Sequence, residues 1–370
     1  MIIGGFNSVD LNLLNSELNA KEFNLRCDSE NVYNRKIFVG NGRTAASYVL
    51  KNAVHLTHND VILLPDYLCV SVINSLQVCD AQLRFYRVKK DLSIDLDDLK
   101  AKMNDDVAMI YVIHYFGFPM SREVQACMLS LKKKYNAVIM EDLTQALYST
   151  EKDCIGFGDY ITASIRKWTP VTDGGMLAIR DDVNCKEVKL ANAYDEAVYK
   201  QLMVSLYRDY YDKHSDLDIN RYLQVENEAN KARYIDFTPR EMTLESQKIF
   251  FNIDHAALVK QMRDNYSFLY DELKNVDGLK LVTPELDSEG KYVPFGFFVL
   301  VEDRDSFYNY LIENRIIPVI QWELPLDYYH PGEDARYLSN HNVMIYCDDR
   351  YGTKEMKIIA DTIKNYFGGK

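Results

Sequence analysis

Gly156-Phe-Gly-Asp-Tyr-Ile-Thr-Ala-Ser-Ile-Arg-Lys-Trp-Thr-Pro-Val-Thr-Asp-Gly-Gly175 is the stretch on which the reading of this chain turns. Tyr160 to Ser164 is a run rich in β-formers, and Gly174-Gly175 followed by Met-Leu-Ala-Ile starts a second one. Lys167 thus lies on a connection between two strands, beside Trp168, and not on a solvated helix. A lysine held partly out of water next to another cation, here Arg166, has its pKa lowered towards ~7–8. There its amine is nucleophilic enough to form a Schiff base. Alone, Lys167 reads as a surface lysine. Its upstream neighbours give it a chemistry.

Working outward, the chain alternates short apolar strands with helices. Val61–Leu64, Gln82–Tyr86, Val107–Ile113 and Ala137–Glu141 read as strands. Ala46–Leu56, Leu68–Leu76, Asp95–Met103 and Arg122–Tyr135 read as helices between them. Nearly continuous apolar strands separated by helices predict an α/β fold: a mostly parallel sheet covered on both faces, three layers deep. Residues 1–36 form an N-terminal arm with one helix, about 11–23. Residues 37–242 form the large domain, whose last part, 183–235, is helical, charged and rich in tyrosine. From 243 to 370 a smaller α+β domain follows: a helical stretch 245–274, strands near 279–282, 295–301 and 316–320, and helices 306–314 and 354–367.

Four segments fall where strands of the large domain end. Asn41-Gly42-Arg43-Thr44 follows an apolar strand and opens a helix, so backbone amides there can cradle a phosphate. Asp142 stands just past a buried strand, with Gln145 three residues on. Ser164 ends the strand before Lys167, and His114 follows Val107–Ile113. Ligands of open α/β sheets bind outside the carboxyl ends of the strands. Phosphate cradle, carboxylate, hydroxyl and lysine on one rim are what pyridoxal phosphate requires: a seat for its phosphate, an amine for its aldehyde carbon and an anion for its ring nitrogen.

Gly42-Arg-Thr-Ala45, Leu64-Pro-Asp-Tyr-Leu-Cys69, His114-Tyr-Phe-Gly-Phe-Pro119, Glu141-Asp-Leu-Thr-Gln-Ala146 and the Ser164-to-Gly175 block resemble successive blocks of the DegT/DnrJ/EryC1/StrS sugar aminotransferases. Weaker likeness continues through Arg263-Asp-Asn265, Pro318–Trp322 and Ile345–Tyr351. The resemblance implies the fold-type-I architecture of pyridoxal-phosphate transferases and a homodimer. It implies transfer of an amino group, with glutamate as donor, to a keto-sugar carried on a nucleotide, in surface-polysaccharide or amino-sugar biosynthesis. Lys167 would hold the cofactor, Asp142 would pair with its ring nitrogen and Gln145 would lie near the ring hydroxyl. Gly42, Arg43, Thr44 and Ser164 would hold its phosphate. Three departures shift roles. Ser164 stands closer to Lys167 than is usual in the family, which brings in Thr162. Cys69 occupies the place of an aromatic that stacks on the ring, which passes stacking to Tyr67 or His114, and His114 joins the catalytic set. Arg240, in Pro239-Arg-Glu-Met242, stands where the family places an asparagine that acts across the subunit boundary.

Two rivals compete with this reading. Gly40-Asn-Gly-Arg-Thr-Ala45 also fits a dinucleotide-binding fingerprint, with Asp66 at the end of the next strand as the ribose carboxylate. A regulator or interaction protein that kept the fold without its chemistry is the other. The bulk properties exclude more than they select. A net charge of −12 over 370 residues argues against general nucleic-acid binding, and the longest basic run is Lys132-Lys133-Lys134. Seven scattered cysteines without a Cys-x-x-Cys pair predict free thiols, no structural metal and a reducing compartment. No membrane-spanning or signal segment is read, so a cytoplasmic enzyme is expected.

Overall fold

Eleven residues, 164–174, join two strands around Lys167, and that shortness has a topological consequence. A parallel crossover needs about a dozen residues or more, normally with a helix. The strand Gly175–Ile179 accordingly returns antiparallel to Tyr160–Ala163. It also runs antiparallel to Arg35–Val39 on its other side. The expected mostly parallel sheet thus contains one reversed strand, placed beside the lysine.

The computed structural model describes residues 3–5, 8–9, 11–18, 23–52, 56–187, 189–194, 196–214, 219–232 and 238–368. The large sheet has seven strands in the order Arg35–Val39, Gly175–Ile179, Tyr160–Ala163, Val138–Asp142, Val107–Ile113, Val61–Pro65, Gln82–Tyr86. From Tyr160–Ala163 onward every pairing is parallel. Alternate residues of the central strands enter two different cores, as a period of two requires. Leu63, Ile110, Val112 and Ile139 join the core beneath Leu99, Val124 and Met128 of the helices Leu96–Lys102 and Arg122–Tyr135. Ile62, Leu64, Met109, Tyr111 and Met140 face the helices Gly42–Asn52 and Val70–Leu76. Layers of helix, sheet and helix follow.

Local chemistry fixes the helix ends. Asp95 accepts the amides of Asp97 and Asp98, and Ser121 accepts that of Val124. The helix Arg122–Tyr135 closes on Asn136 at φ 53°, with three lysines in its last turn facing the negative end of the dipole. The predicted helical stretch 245–274 is two helices, Leu244–Asn252 and His255–Leu273. Asp254 caps the second by accepting from Ala256 and Ala257, a cap signal that outweighs the apolar continuity.

The smaller unit centres on Phe297–Leu300, between Asn342–Ile345 and Lys280–Leu281, all antiparallel. The helix Glu333–His341, absent from the sequence reading, precedes its last strand. Of the N-terminal arm, Ile3–Gly4 pairs in parallel with Ile316–Ile317 of the small unit. Among the described residues the arm's helix is only Leu11–Leu14: the expected run to Phe23 is broken, since residues 15–18 leave the helix in a turn in which Ser16 donates back to Leu13. In the segment 183–235, the helices Glu196–Lys213 and Ile219–Ala232 pack together through Val204 and Ala229. Among the described residues no helix is long and apolar enough to cross a membrane.

Candidate active site

The carboxyl ends of the strands open onto a cavity of about 420 Å³, within the range of small-molecule sites. One wall is the start of the helix Gly42–Asn52. A Cβ on Gly42 would stand 3.2 Å from the Ala163 carbonyl oxygen and 3.4 Å from Ser164 Cβ, so glycine lets the helix start close onto the strand end. Gly175 is tighter: its Cβ would meet the Asn41 backbone at 2.2 Å. Asn41 caps the helix, accepting the Thr44 amide at 3.0 Å, while the Thr44 hydroxyl donates to the Asn41 carbonyl at 2.8 Å. Thr44 therefore lines the cavity with its polar groups already engaged. Gly42, Arg43 and Ser164 stand beside it.

Lys167 lies in the 3-10 turn Ile165–Lys167, its side chain in the cavity. Burial lowers its pKa. The charges of Cys69 and Asp142 oppose that shift, and those of Arg166 and Arg43 reinforce it. Its amine is thus shifted toward the neutral, nucleophilic form.

Asp142 ends its strand with both oxygens engaged. Oδ2 accepts the Tyr111 hydroxyl at 2.7 Å, and Oδ1 accepts the Thr144 amide at 2.8 Å. Burial, and next the Asp142 charge, push the Tyr111 pKa well up, so the phenol remains the donor. Thr162 interacts with that phenol and is not a cavity wall, which makes it a prop for Tyr111 and not a phosphate ligand. Gln145 lines the cavity, accepts the Phe116 amide at 3.2 Å and reaches Gln321 of the small unit at 3.4 Å. That contact ties the two units at the site.

His114 is placed elsewhere. Its Nδ1 accepts the Met120 amide and its Nε2 faces Glu141 Oε1 at 2.9 Å, with both side chains fully buried. Glu141 turns it inward, so the imidazole neither lines the cavity nor stacks there. Tyr67 is likewise no cavity wall. Its ring packs on Tyr115 and Trp322, and its buried hydroxyl has no hydrogen-bond partner among the described residues. Cys69 does line the cavity, accepting the Ser71 hydroxyl at 3.1 Å. Arg240 stands on the cavity of its own chain, donating to the Asn192 carbonyl at 3.2 Å.

Sequence reasoning missed Tyr111, Trp322 and Gln201, while Arg166 lowers the Lys167 pKa as expected. Tyr111 is a polar interruption in an otherwise apolar strand, and Trp322 closes a block that carried no assigned role. Arg166, Arg43 and Arg240 concentrate positive charge here, in a protein whose overall balance is acidic. Gln201, from the helix Glu196–Lys213, donates to the Ala229 carbonyl at 2.7 Å. Its buried Oε1 has no partner among the described residues and waits on a donor.

Asp66, the carboxylate of the dinucleotide alternative, is spent. It accepts the amides of Val88 and Gly332, each at 2.8 Å, while its carbonyl takes the Tyr329 hydroxyl at 2.6 Å. It clamps the small unit to the sheet edge and lies away from the cavity. The glycine fingerprint therefore lacks its ribose partner.

The fold is similar to that of solved sugar aminotransferases. One such relative is the aminotransferase PseC of Helicobacter pylori, involved in pseudoaminic acid biosynthesis, at TM-score 0.69 and 14% identity over the full length of both chains. Another is the sugar aminotransferase CalS13 of Micromonospora echinospora, at TM-score 0.64 and 18% identity, covering 89% of this chain and 87% of that one. By sequence, residues 31–202 match the model of the DegT/DnrJ/EryC1/StrS aminotransferase family. The GDP-perosamine synthase of Vibrio cholerae is 25% identical over 154 residues, 39% of this chain, and the match spans about 40% of that relative's length.

Proposed function

We propose that this protein is a pyridoxal-phosphate-dependent aminotransferase that moves an amino group, with glutamate as donor, onto a nucleotide-linked keto-sugar. The observation that carries this reading is the sharing of one cavity by the Lys167 amine, the Asp142 carboxylate and the glycine-started helix. Those residues fit the cofactor. Gly42, Arg43 and Ser164 would seat the phosphate, Asp142 would face the ring nitrogen, and Lys167 is the only lysine among the described lining residues. Pyridoxal phosphate, when bound, supplies the electron sink and the carbonyl carbon through which an amine is exchanged.

The chain supplies the rest. Lys167 Nζ, shifted toward its neutral form by burial, is the group able to accept a proton and return it. Tyr111 holds Asp142 Oδ2, so the carboxylate presents a fixed edge to the cavity. Arg43, Arg166 and Arg240 suit anionic substrates, both the carboxylates of an amino donor and the phosphates of a nucleotide. A homodimer is part of the proposal: Tyr199, Met203 and Tyr210 of the helix Glu196–Lys213 are exposed, with Tyr194 and Leu244 also exposed.

Borohydride reduction of the cofactor-loaded protein, followed by peptide mapping, should label Lys167. Lys167→Ala should fold normally, lose the label and lose turnover by ~10²–10⁴-fold or more. A label on another lysine, or unimpaired glutamate-dependent amination in Lys167→Ala, would overturn the reading.

A further inference from the structure

A second cavity, of about 710 Å³, lies where residues 23–26 of the N-terminal arm meet the first turns of the helix His255–Leu273. Its apolar wall is Phe23, Phe251, Ile253 and Val259. Tyr148 also lines it and packs edge-on against Trp168, the residue after Lys167, at 5.3 Å between ring centres.

Apart from Arg26, the charges around this cavity are paired, Lys291 with Glu151 at 3.1 Å as well as with Glu289. Lys260 pairs with Asp264 at 2.5 Å, Arg263 with Asp287 at 3.2 Å, and Glu289 with Lys291 at 2.9 Å. Arg26 is left over. Its guanidinium donates to the carbonyls of Tyr148, at 2.8 Å, and Gly290, at 2.9 Å, and meets no carboxylate among the described residues. Burial, and next the charge of Arg263, push its pKa down, with Asp287 opposing; an arginine keeps its charge regardless. A half-buried guanidinium beside a second one, with no carboxylate in contact among the described residues, gains from a bound anion. His255 does not add to the charge. Tyr148 and the Phe250 carbonyl hold its two nitrogens, and burial lowers its pKa.

We propose that this cavity is a second ligand site, for a small organic anion. The head, phosphate or carboxylate, pairs with Arg26, and a flat apolar body lies on Phe23, Phe251, Ile253 and Val259; Arg263 is held by Asp287 and the carbonyls of Asp287 and Tyr292 and adds only its nearby charge. A guanidinium offers five donors, and two of those of Arg26 go to carbonyls, which leaves capacity for an oxyanion. The site is separate from the catalytic cavity, with no lining residue in common, and the inference stands whatever reaction that cavity performs.

Titration calorimetry tests it, on protein saturated with pyridoxal phosphate so that the catalytic phosphate seat is filled. The probes are phenyl phosphate, benzoate and, as the uncharged control, benzyl alcohol. At least one anionic probe should bind, and benzyl alcohol should bind more weakly. Arg26→Met should weaken the anion by about tenfold or more, as loss of a charge-assisted contact does. Val259→Trp, which fills the cavity from the helix and leaves Arg26 in place, should weaken it as well and decides the matter if Arg26→Met does not fold. No binding of either anion, or binding that neither variant changes, overturns the proposal.

Discussion

Glu141 and Asp142 are adjacent carboxylates on one strand, yet they serve opposite faces of the sheet. Glu141 points into the interior, where it accepts the amides of Gly156, Phe157 and Gly158 at 3.1, 2.7 and 2.6 Å and faces His114 at 2.9 Å. Its hydrogen-bonding capacity is used up on the loop that leads to the lysine strand. Asp142 looks into the cavity, held by one phenol and one amide. Two chemically near-identical groups thus divide the labour: one builds the floor and the other is presented to a ligand. What separates them is the number of partners the chain already supplies.

The sharpest way to break this contrast is to remove each carboxylate in turn. Glu141→Ala strands two buried amides, a part-buried one and His114, and should destabilise the fold by ~3–5 kcal/mol in urea unfolding, as loss of one member of a buried pair does. Its surviving folded fraction should still take up cofactor. Asp142→Ala gives up the Tyr111 and Thr144 contacts, so it should cost ~1.5–3 kcal/mol, less than Glu141→Ala, and lose cofactor affinity by about a hundredfold or more. Equal losses of stability in the two variants would erase the distinction.

A finer test is Tyr111→Phe. It removes one charge-assisted bond, worth ~1.5–3 kcal/mol, from the presented carboxylate alone. Cofactor affinity should fall by about tenfold or more, by equilibrium dialysis, with the unfolding midpoint moved less than in Glu141→Ala. Unchanged affinity would show that Asp142 needs no prop.

The smallest effect concerns pH. Burial lowers the Lys167 pKa in the folded chain, so below ~10.4, the ordinary lysine value, the unfolded chain binds more protons at this position than the folded one. Its contribution to stability therefore rises with pH through the folded pKa and levels off near the unfolded value. In cofactor-free protein, Lys167→Met should flatten that rise, read as melting temperature against pH. Parallel curves for the two proteins would remove Lys167 as its source.

Much of the scaffold was readable because local signals agreed. Gln82–Tyr86, Val107–Ile113 and Arg122–Tyr135 begin and end where pattern and cap residues place them. The reversed strand Gly175–Ile179 was hidden because apolar periodicity carries no direction; only the length of the 164–174 connection hints at it. Lys167, Asp142, Gln145 and Ser164 meet in one cavity because each ends or follows a strand at the same edge. His114 follows a strand too, but its side chain direction depends on Glu141, a partner 27 residues away. Trp322 and Gln201 reach the cavity from the small unit and from a later helix, and nothing local in their sequence announces that reach.

The pairing of Ile3–Gly4 with Ile316–Ile317 also sets an order of events. The Gly4 amide donates to the Tyr351 hydroxyl at 2.7 Å, 347 residues along the chain, and Arg208 and Arg350 hold the carbonyls of Gly4 and Gly5. During synthesis these residues have no place to go until residues 316–351 have been made. The large sheet, whose strands all lie between residues 35 and 179, can assemble well before then. The segment 3–5 can be seated only after residues 316–351 exist, later than the large sheet, and its arrival latches the smaller unit.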